Sequence, residues 1–278
     1  MSPILFVVIV GAISLLAGFL GALLGLGGGI IIVPALTLLL GVDIRLAIGA
    51  SIVSVIATSS GAAAAYVRDR LANIRVAMFL ELGTTAGAIT GAVLAGILIP
   101  RFLFILFGLI VGYSAFAMLR DRRRGAKEIE VGPWARVLDL KSSYFDDAAG
   151  MHVDYQPKRA RIGLALMYFA GVISGLLGIG SGALKVPAMD LAMELPIKVS
   201  TATSNFMIGV TAAASAGVYF SRGQIDPFIA GPVAIGVMAG AFIGSHTLGR
   251  ISSRTVRFIF VAVLTVVAVQ MLFKGVMA

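Results

Sequence analysis

The sequence predicts an all-α polytopic membrane protein made of two internal repeats of about five helices each, one of them short and set after a Gly-rich break. Three observations predict it. Charge is scarce, apolar runs long enough to span a bilayer recur, and a pattern of glycines repeats in a fixed register. Of 278 residues, 59% are hydrophobic and 13% charged, with a mean hydropathy of +1.02. So few charges cannot cover a soluble domain of this length. The 34 glycines suit helices that pack closely through small residues.

Runs of roughly 20 apolar residues, the length of a membrane helix, lie near 3–24, 46–66, 76–99, 102–119, 162–180, 200–220, 228–250 and 256–274. The first has no basic flank before it and no cleavage site after it, so it reads as a membrane helix and not a signal peptide. Shorter apolar segments follow near 30–42 and 183–195. At about 1.5 Å per residue they reach only about 20 Å. They either cross with help from the extended glycines before them or dip in and return. Between the halves lies a polar stretch opened by Arg122-Arg123-Arg124. Within it Val137–Lys141 and Met151–Tyr155 flank Asp146–Gly150, which suggests a small β-hairpin, with an irregular loop as the alternative. The organisation is therefore a first transmembrane repeat over 1–119, a cytoplasmic loop over 120–161 and a second transmembrane repeat over 162–278.

A shift of 153 residues aligns the halves without a gap from about 17 to 108. Gly18 to Gly29 falls on Gly171 to Gly182, Val33-Pro34-Ala35 on Val186-Pro187-Ala188, and Tyr66 on Tyr219. Gly83, Gly87, Gly91 and Gly96 meet Gly236, Gly240, Gly244 and Gly249. Cationic residues then favour one orientation, because cytoplasmic loops carry the excess of Lys and Arg. If the short segments cross, the halves are inverted and 17 basic residues lie inside against four outside; if they are re-entrant, the halves run parallel and the division is 15 against six. Inversion is the expectation.

The net charge of +9 invites a nucleic-acid reading. Its distribution argues against one: ten of the 22 basic residues lie between Arg120 and Arg161 beside seven of the 13 acids, and most others punctuate the ends of apolar runs. The absence of cysteine excludes thiolate metal sites and disulfides.

The strongest local motif is G-x-G-x-G with a following proline: Gly25, Gly27 and Gly29 before Pro34, then Gly178, Gly180 and Gly182 before Pro187, with Gly28 and Ser181 inside. Clustered glycines break a helix, and in lipid a break is tolerated only where the freed backbone groups find partners or a cavity. The helix that restarts turns its positive end to the break, so exposed N–H groups there suit an anion. Close glycine packing without a ligand is the plainer alternative. No Gly-Lys-Ser/Thr follows, so it is not a nucleotide loop.

Lys185 stands three residues past the second glycine cluster, where the first half has Ile32. A cation at membrane depth marks a functional site unless it snorkels to the interface. There it would supply a counter-charge. Ser51, Thr203, Ser204 and Asn205 are candidate side-chain donors. Glu81, near the cytoplasmic end of its span, reads most simply as a solvated carboxylate and otherwise as a carrier of a coupling proton. Asp190 and Glu194 could pair with Lys185 or Lys198. His152 and His246 have no second ligand at metal spacing and read as structural. No catalytic constellation, cofactor site or metal site is expected, and the chain does not read as an enzyme.

These residues resemble the sulfite exporter, or TauE/SafE, family of membrane permeases. The likeness rests on Gly21–Gly29 with Val33-Pro34, on Gly175–Met189, on Thr201–Ala212 and on Gly223-Gln224-Ile225-Asp226-Pro227, and extends to the loop Leu138–Tyr155. Ser181 departs from a glycine common in the family. The resemblance implies a multi-pass carrier of the cytoplasmic (inner) membrane for sulfur oxyanions or organosulfonates, often an exporter. The expected partners are a small anion, the bilayer, protons as the coupling ion and, as an option, a second copy of the chain in a homodimer. The expected function is secondary transport by alternating access; a passive anion channel and a membrane scaffold without transport are the alternatives.

Overall fold

Backbone polar groups inside a bilayer have no water to bond, so apolar runs close their hydrogen bonds within helices. The structure, a computed structural model, describes residues 2–119, 138–147, 150–248 and 250–277. The first half contains α1 (Pro3–Leu24), α2 (Gly29–Pro34) continued by a π-helical turn (Ala35–Leu39), α3 (Ile44–Arg68), α4 (Ile74–Ala95) and α5 (Pro100–Leu119). A hairpin of β1 (Ser142–Asp146) and β2 (Met151–Tyr155) follows. The second half contains α6 (Ala160–Leu177), α7 (Gly182–Pro187) with its π-helical turn (Ala188–Ala192), α8 (Ile197–Ser221), α9 (Pro227–Leu248) and α10 (Ser253–Met277). Pro34 and Pro187 sit where each short helix widens, since a proline removes one backbone donor and crowds the carbonyl a turn before it.

Among the described residues seven helices, α1, α3–α6, α9 and α10, are long and apolar enough to cross a membrane. The eighth expected span, now α8, is 25 residues long, as α3 is, but carries the polar run Ser200–Asn205. Those side chains are buried in the protein, and Thr203, Ser204 and Asn205 find hydrogen-bonding partners there. The polar residues that lower its apolarity belong to the interior of the bundle.

The repeated glycines have matched roles. A Cβ on Gly83, Gly87 or Gly91 would lie 2.9, 2.1 or 1.9 Å from the carbonyl oxygens of Leu164, Tyr168 and Val172, so α4 and α6 run side by side in the same direction. Gly236, Gly240 and Gly244 hold α9 as closely to Gly11, Leu15 and Phe19 of α1, at 2.5, 1.9 and 2.5 Å. Small residues at every fourth position let the backbones approach this far.

Contacts at the helix ends fix direction. Lys198, at the start of α8, donates to Asp146 of the hairpin at 2.8 Å, and Arg75, at the start of α4, pairs with Asp139. At the other end of the bundle Arg222, just past α8, donates to the carbonyls of Ala92 and Val93 at 2.8 and 3.1 Å, capping α4. The N–H of Lys158, just before α6, bonds the carbonyl of Met193 at 2.9 Å. The chain that enters along α6 therefore returns through α7 to the hairpin end. α1 and α2 make the same excursion from the opposite end, and the two turns meet inside: a Cβ on Gly182 would stand 2.0 Å from the Gly25 carbonyl oxygen. Neither expected arrangement of the short segments holds as stated. The long helix itself stops within the bundle, and the short one carries the chain back out.

The hairpin forms, but its first strand is Ser142–Asp146; Leu138–Lys141 precede it, and Val137 lies outside the described residues. Asp146 pairs with Met151, so the tight turn fixes the register and draws into β1 the residues next to it. Tyr144 donates to Asp146 at 3.4 Å; burial, then the Asp146 charge, pushes its pKa up to about 12. Leu140 is buried beside Asn73, whose Nδ2 donates to the Leu140 carbonyl at 3.1 Å. Arg122–Arg124 lie outside the described residues.

Arg70 and Arg222 are exposed at opposite ends of the bundle. The chain has no native cysteine, so Arg70→Cys and Arg222→Cys are expected to react with a membrane-impermeant maleimide from opposite sides of sealed vesicles. Labelling of both from one side would contradict these helix directions.

Candidate functional site

Each break begins where a helix ends in a left-handed residue. Gly25 has φ +73° and Gly178 has φ +64°, followed by Gly27 and Gly28 at +78° and +70° and by Gly180 and Ser181 at +74° and +55°. Only glycine adopts this region freely. Ser181 is the exception, and its hydroxyl donates to the Gly180 carbonyl at 2.7 Å. The breaks interlock. An added Cβ on Gly178 would meet Ile48 at 2.6 Å, and one on Gly25 the Thr201 carbonyl oxygen at 2.8 Å.

A helix ending at membrane depth leaves carbonyls that need donors. Asn205 Nδ2 and the Tyr66 hydroxyl donate to Ala22 at 2.5 and 2.8 Å, and Ser204 to Gly25 at 2.8 Å. Ser54 and Thr58 reach the Gly27 carbonyl at 3.4 and 3.2 Å. In the second half Ser51 donates to Gly178 at 2.6 Å, and the Tyr219 hydroxyl to Gly175 and Leu176 at 2.6 and 3.2 Å. Ser51, Ser204 and Asn205 thus stand at the breaks and are engaged with backbone carbonyls. Thr203 is farther off, accepting the Asn73 N–H at 3.0 Å. The tyrosines were absent from the sequence candidates, although their alignment as Tyr66 and Tyr219 was the signal.

The amide groups differ between halves. In the first, Leu26 and Gly27 donate to Gly21, and Gly29 to Gly27, at 2.9, 3.4 and 2.8 Å. In the second, no acceptor among the described residues takes the N–H groups from Ile179 through Ala183. These donors lie at the break just before α7, and an unpaired N–H group has the polarity an anion requires.

Lys185 lies on α7, fully buried. Its Nζ donates to Thr211 Oγ1 at 2.6 Å and stands 3.6 Å from Glu81 Oε2. The Thr211 hydroxyl donates to Glu81 Oε1 at 2.6 Å, and Thr85 adds a bond at 3.0 Å. Glu81 is 9% exposed and faces the interior, so the solvated carboxylate expected at this position is corrected. The expected partners of Lys185 are corrected too. Asp190 pairs with Arg257 at 2.7 Å, Glu194 with Lys158 at 2.9 Å and Lys198 with Asp146 at 2.8 Å. Thr211 was not singled out in the sequence. His152 packs edge-on against Phe145 with centroids 5.1 Å apart, and His246 Nδ1 lies 2.8 Å from the Phe242 carbonyl.

The sequence matches the sulfite exporter TauE/SafE family over residues 10–271. The chain belongs to that family. It is similar to the probable membrane transporter protein YunE of Bacillus subtilis, with 29% identity covering 98% of each chain. It is similar also to a probable membrane transporter protein of Xylella fastidiosa, with 28% identity covering 86% of this chain and 83% of that one. A further similar protein is the probable membrane transporter protein YjnA of Bacillus subtilis, 26% identical over 94% of this chain and 99% of its own. No solved structure matches the chain. Membership and the seven apolar helices make this a multi-pass membrane protein of a transporter family.

Gly182→Ala is expected to destabilise the protein in detergent by on the order of 1–3 kcal/mol, the usual cost of overpacking, because its methyl would strike the Gly25 carbonyl oxygen. Gly217→Ala, with no atom within 4 Å of the added carbon, is expected to leave the melting temperature unchanged or raise it. Equal effects in thermal melts would show that the breaks are not held by this contact.

Proposed function

We propose that the protein is a secondary transporter of the inner membrane that carries a small sulfur-containing anion, such as sulfite or an organosulfonate, outward by alternating access. The observation that carries this reading is Lys185, a fully buried cation one turn into the helix that follows the unpaired amides of Ile179–Ala183. Amides and ammonium together offer an oxyanion directional donors and a compensating charge, which side-chain hydroxyls alone would not. The substrate class comes from the family, whose name specifies sulfite export.

In this reading the halves are inverted repeats whose breaks form the substrate site from two sides, and one half rocks against the other. The short helices are suited to that motion. They return to the end from which their long partners entered, so each break is carried by a helix pair that can tilt as a unit. The interlocked glycines favour such a carrier over a continuously open channel. In the conformation described here Ser51, Ser204 and Asn205 serve as donors to the break carbonyls, and movement of one half would release them to the anion.

Lys185→Met is expected to abolish uptake of radiolabelled sulfite or methanesulfonate into proteoliposomes. Because it strands the Glu81 charge, Lys185→Met/Glu81→Gln serves as the folded counterpart and is expected to be equally inactive. Unchanged uptake by either variant would remove Lys185 from the site.

A further inference from the structure

The buried triad of Glu81, Thr211 and Lys185 joins the two halves of the chain at a single charged point. Glu81 comes from α4, whereas Lys185 and Thr211 come from α7 and α8. Their counterparts under the 153-residue shift, Ala234, Ile32 and Thr58, carry no charge. A structural ion pair would usually have its remaining lone pairs satisfied. Here Glu81 Oε2 is buried without a hydrogen-bond partner, facing the ammonium across 3.6 Å, while Oε1 accepts from both threonines. α6 and α8, packed along α4, bring no other ionised side chain among the described residues within ion-pair distance of Glu81.

We propose that Glu81 is the proton site of the carrier and that protonation of its carboxylate and binding of the anion exchange places at Lys185. The inference rests on the anion-carrier reading and adds the coupling ion to it. In the conformation described, Lys185 is neutralised by Glu81 and has no charge to spare for a substrate. An anion arriving alone would put a second negative charge beside one cation in a medium that solvates charge poorly. If a proton from water adds to the bare Oε2, the carboxylate becomes a neutral acid and releases the ammonium, and the incoming anion becomes its partner. One proton and one monoanion enter together, and the net charge of the site is the same before and after.

Thr211 makes the exchange local. Lysine ammonium can only donate, so the short bond from Nζ must be accepted by Oγ1, whose own proton has the Glu81 carboxylate at 2.6 Å as its nearer acceptor and the Met207 carbonyl at 3.1 Å as the farther one. The hydroxyl therefore reports to each partner the state of the other. In the first half Thr58 spends the same hydroxyl on the Gly27 and Ser54 carbonyls, at 3.2 and 2.8 Å. The second half has turned this position from a prop for the break into a bridge between charges.

The test uses purified full-length protein in weakly buffered detergent near neutral pH, with methanesulfonate as the probe because it does not titrate there. Thermal stabilisation reads binding, and a pH dye reads proton uptake. The expected result is stabilisation with uptake of about one proton per bound anion, and stabilisation without uptake in Glu81→Gln. In the unsubstituted protein, infrared difference spectra should show a protonated-carboxyl band appearing with the anion, a readout that does not depend on how the variant folds. Binding without uptake or such a band, or equal uptake by Glu81→Gln, would overturn the proton site. Absence of stabilisation by methanesulfonate and by sulfite alike would instead overturn the anion-carrier reading beneath it.

Discussion

Two helices end inside the bundle, and none of the carbonyls they expose can be left to lipid. The glycines and the polar side chains gathered at the two breaks answer that constraint. Glycines at left-handed positions turn the chain within a few residues. Serine, threonine, asparagine and tyrosine side chains from α3 and α8 then reach the freed carbonyls. An unmet backbone group in hydrocarbon costs several kcal/mol, so loss of a few of these donors would outweigh the margin by which a protein of this size is stable. The polar character of α8, which sets it apart from the other long helices, follows from the same need.

Against this shared framework, the halves differ where charge is concerned. The first break is closed by its own backbone and by Ser54 and Thr58. The second leaves the N–H groups of Ile179–Ala183 without an acceptor among the described residues, has Lys185 where the first has Ile32, and directs Thr211 toward Glu81. The ion pairs Lys198–Asp146, Arg257–Asp190 and Lys158–Glu194 lie instead at the hairpin end of the bundle, where they tie α8, α10 and the chain before α6 to their neighbours.

Much of this architecture was legible in the sequence. Apolar runs located the long helices to within a few residues, and the glycine clusters located both breaks, whereas which helices the later glycines bring together was not read from the sequence. Position along a span served less well. Glu81 lies near one end of its helix, which suggested water, but α4 packs so closely on α6 and α8 that this turn is interior. Lys185 was conspicuous as a lone cation, but its partner is 104 residues away, on a helix that nothing in the local sequence connects to it. Thr211 was silent because threonine is ordinary in membrane helices and bonds its own backbone in most of them. Asp190 and Glu194 were misassigned because sequence proximity to Lys185 was taken for contact. The π-helical turn after Pro187 leaves them instead at the hairpin end, with Arg257 and Lys158.

The central claim is that the amides of Ile179–Ala183 receive an anion. Hydrogen–deuterium exchange of the purified protein, followed by mass spectrometry with and without saturating methanesulfonate or sulfite, tests it most directly. The account predicts slower exchange in the peptide containing 178–184 and a smaller change in the one containing 25–31, whose amides are already largely bonded. Bound anion with unaltered exchange over 178–184 would contradict it.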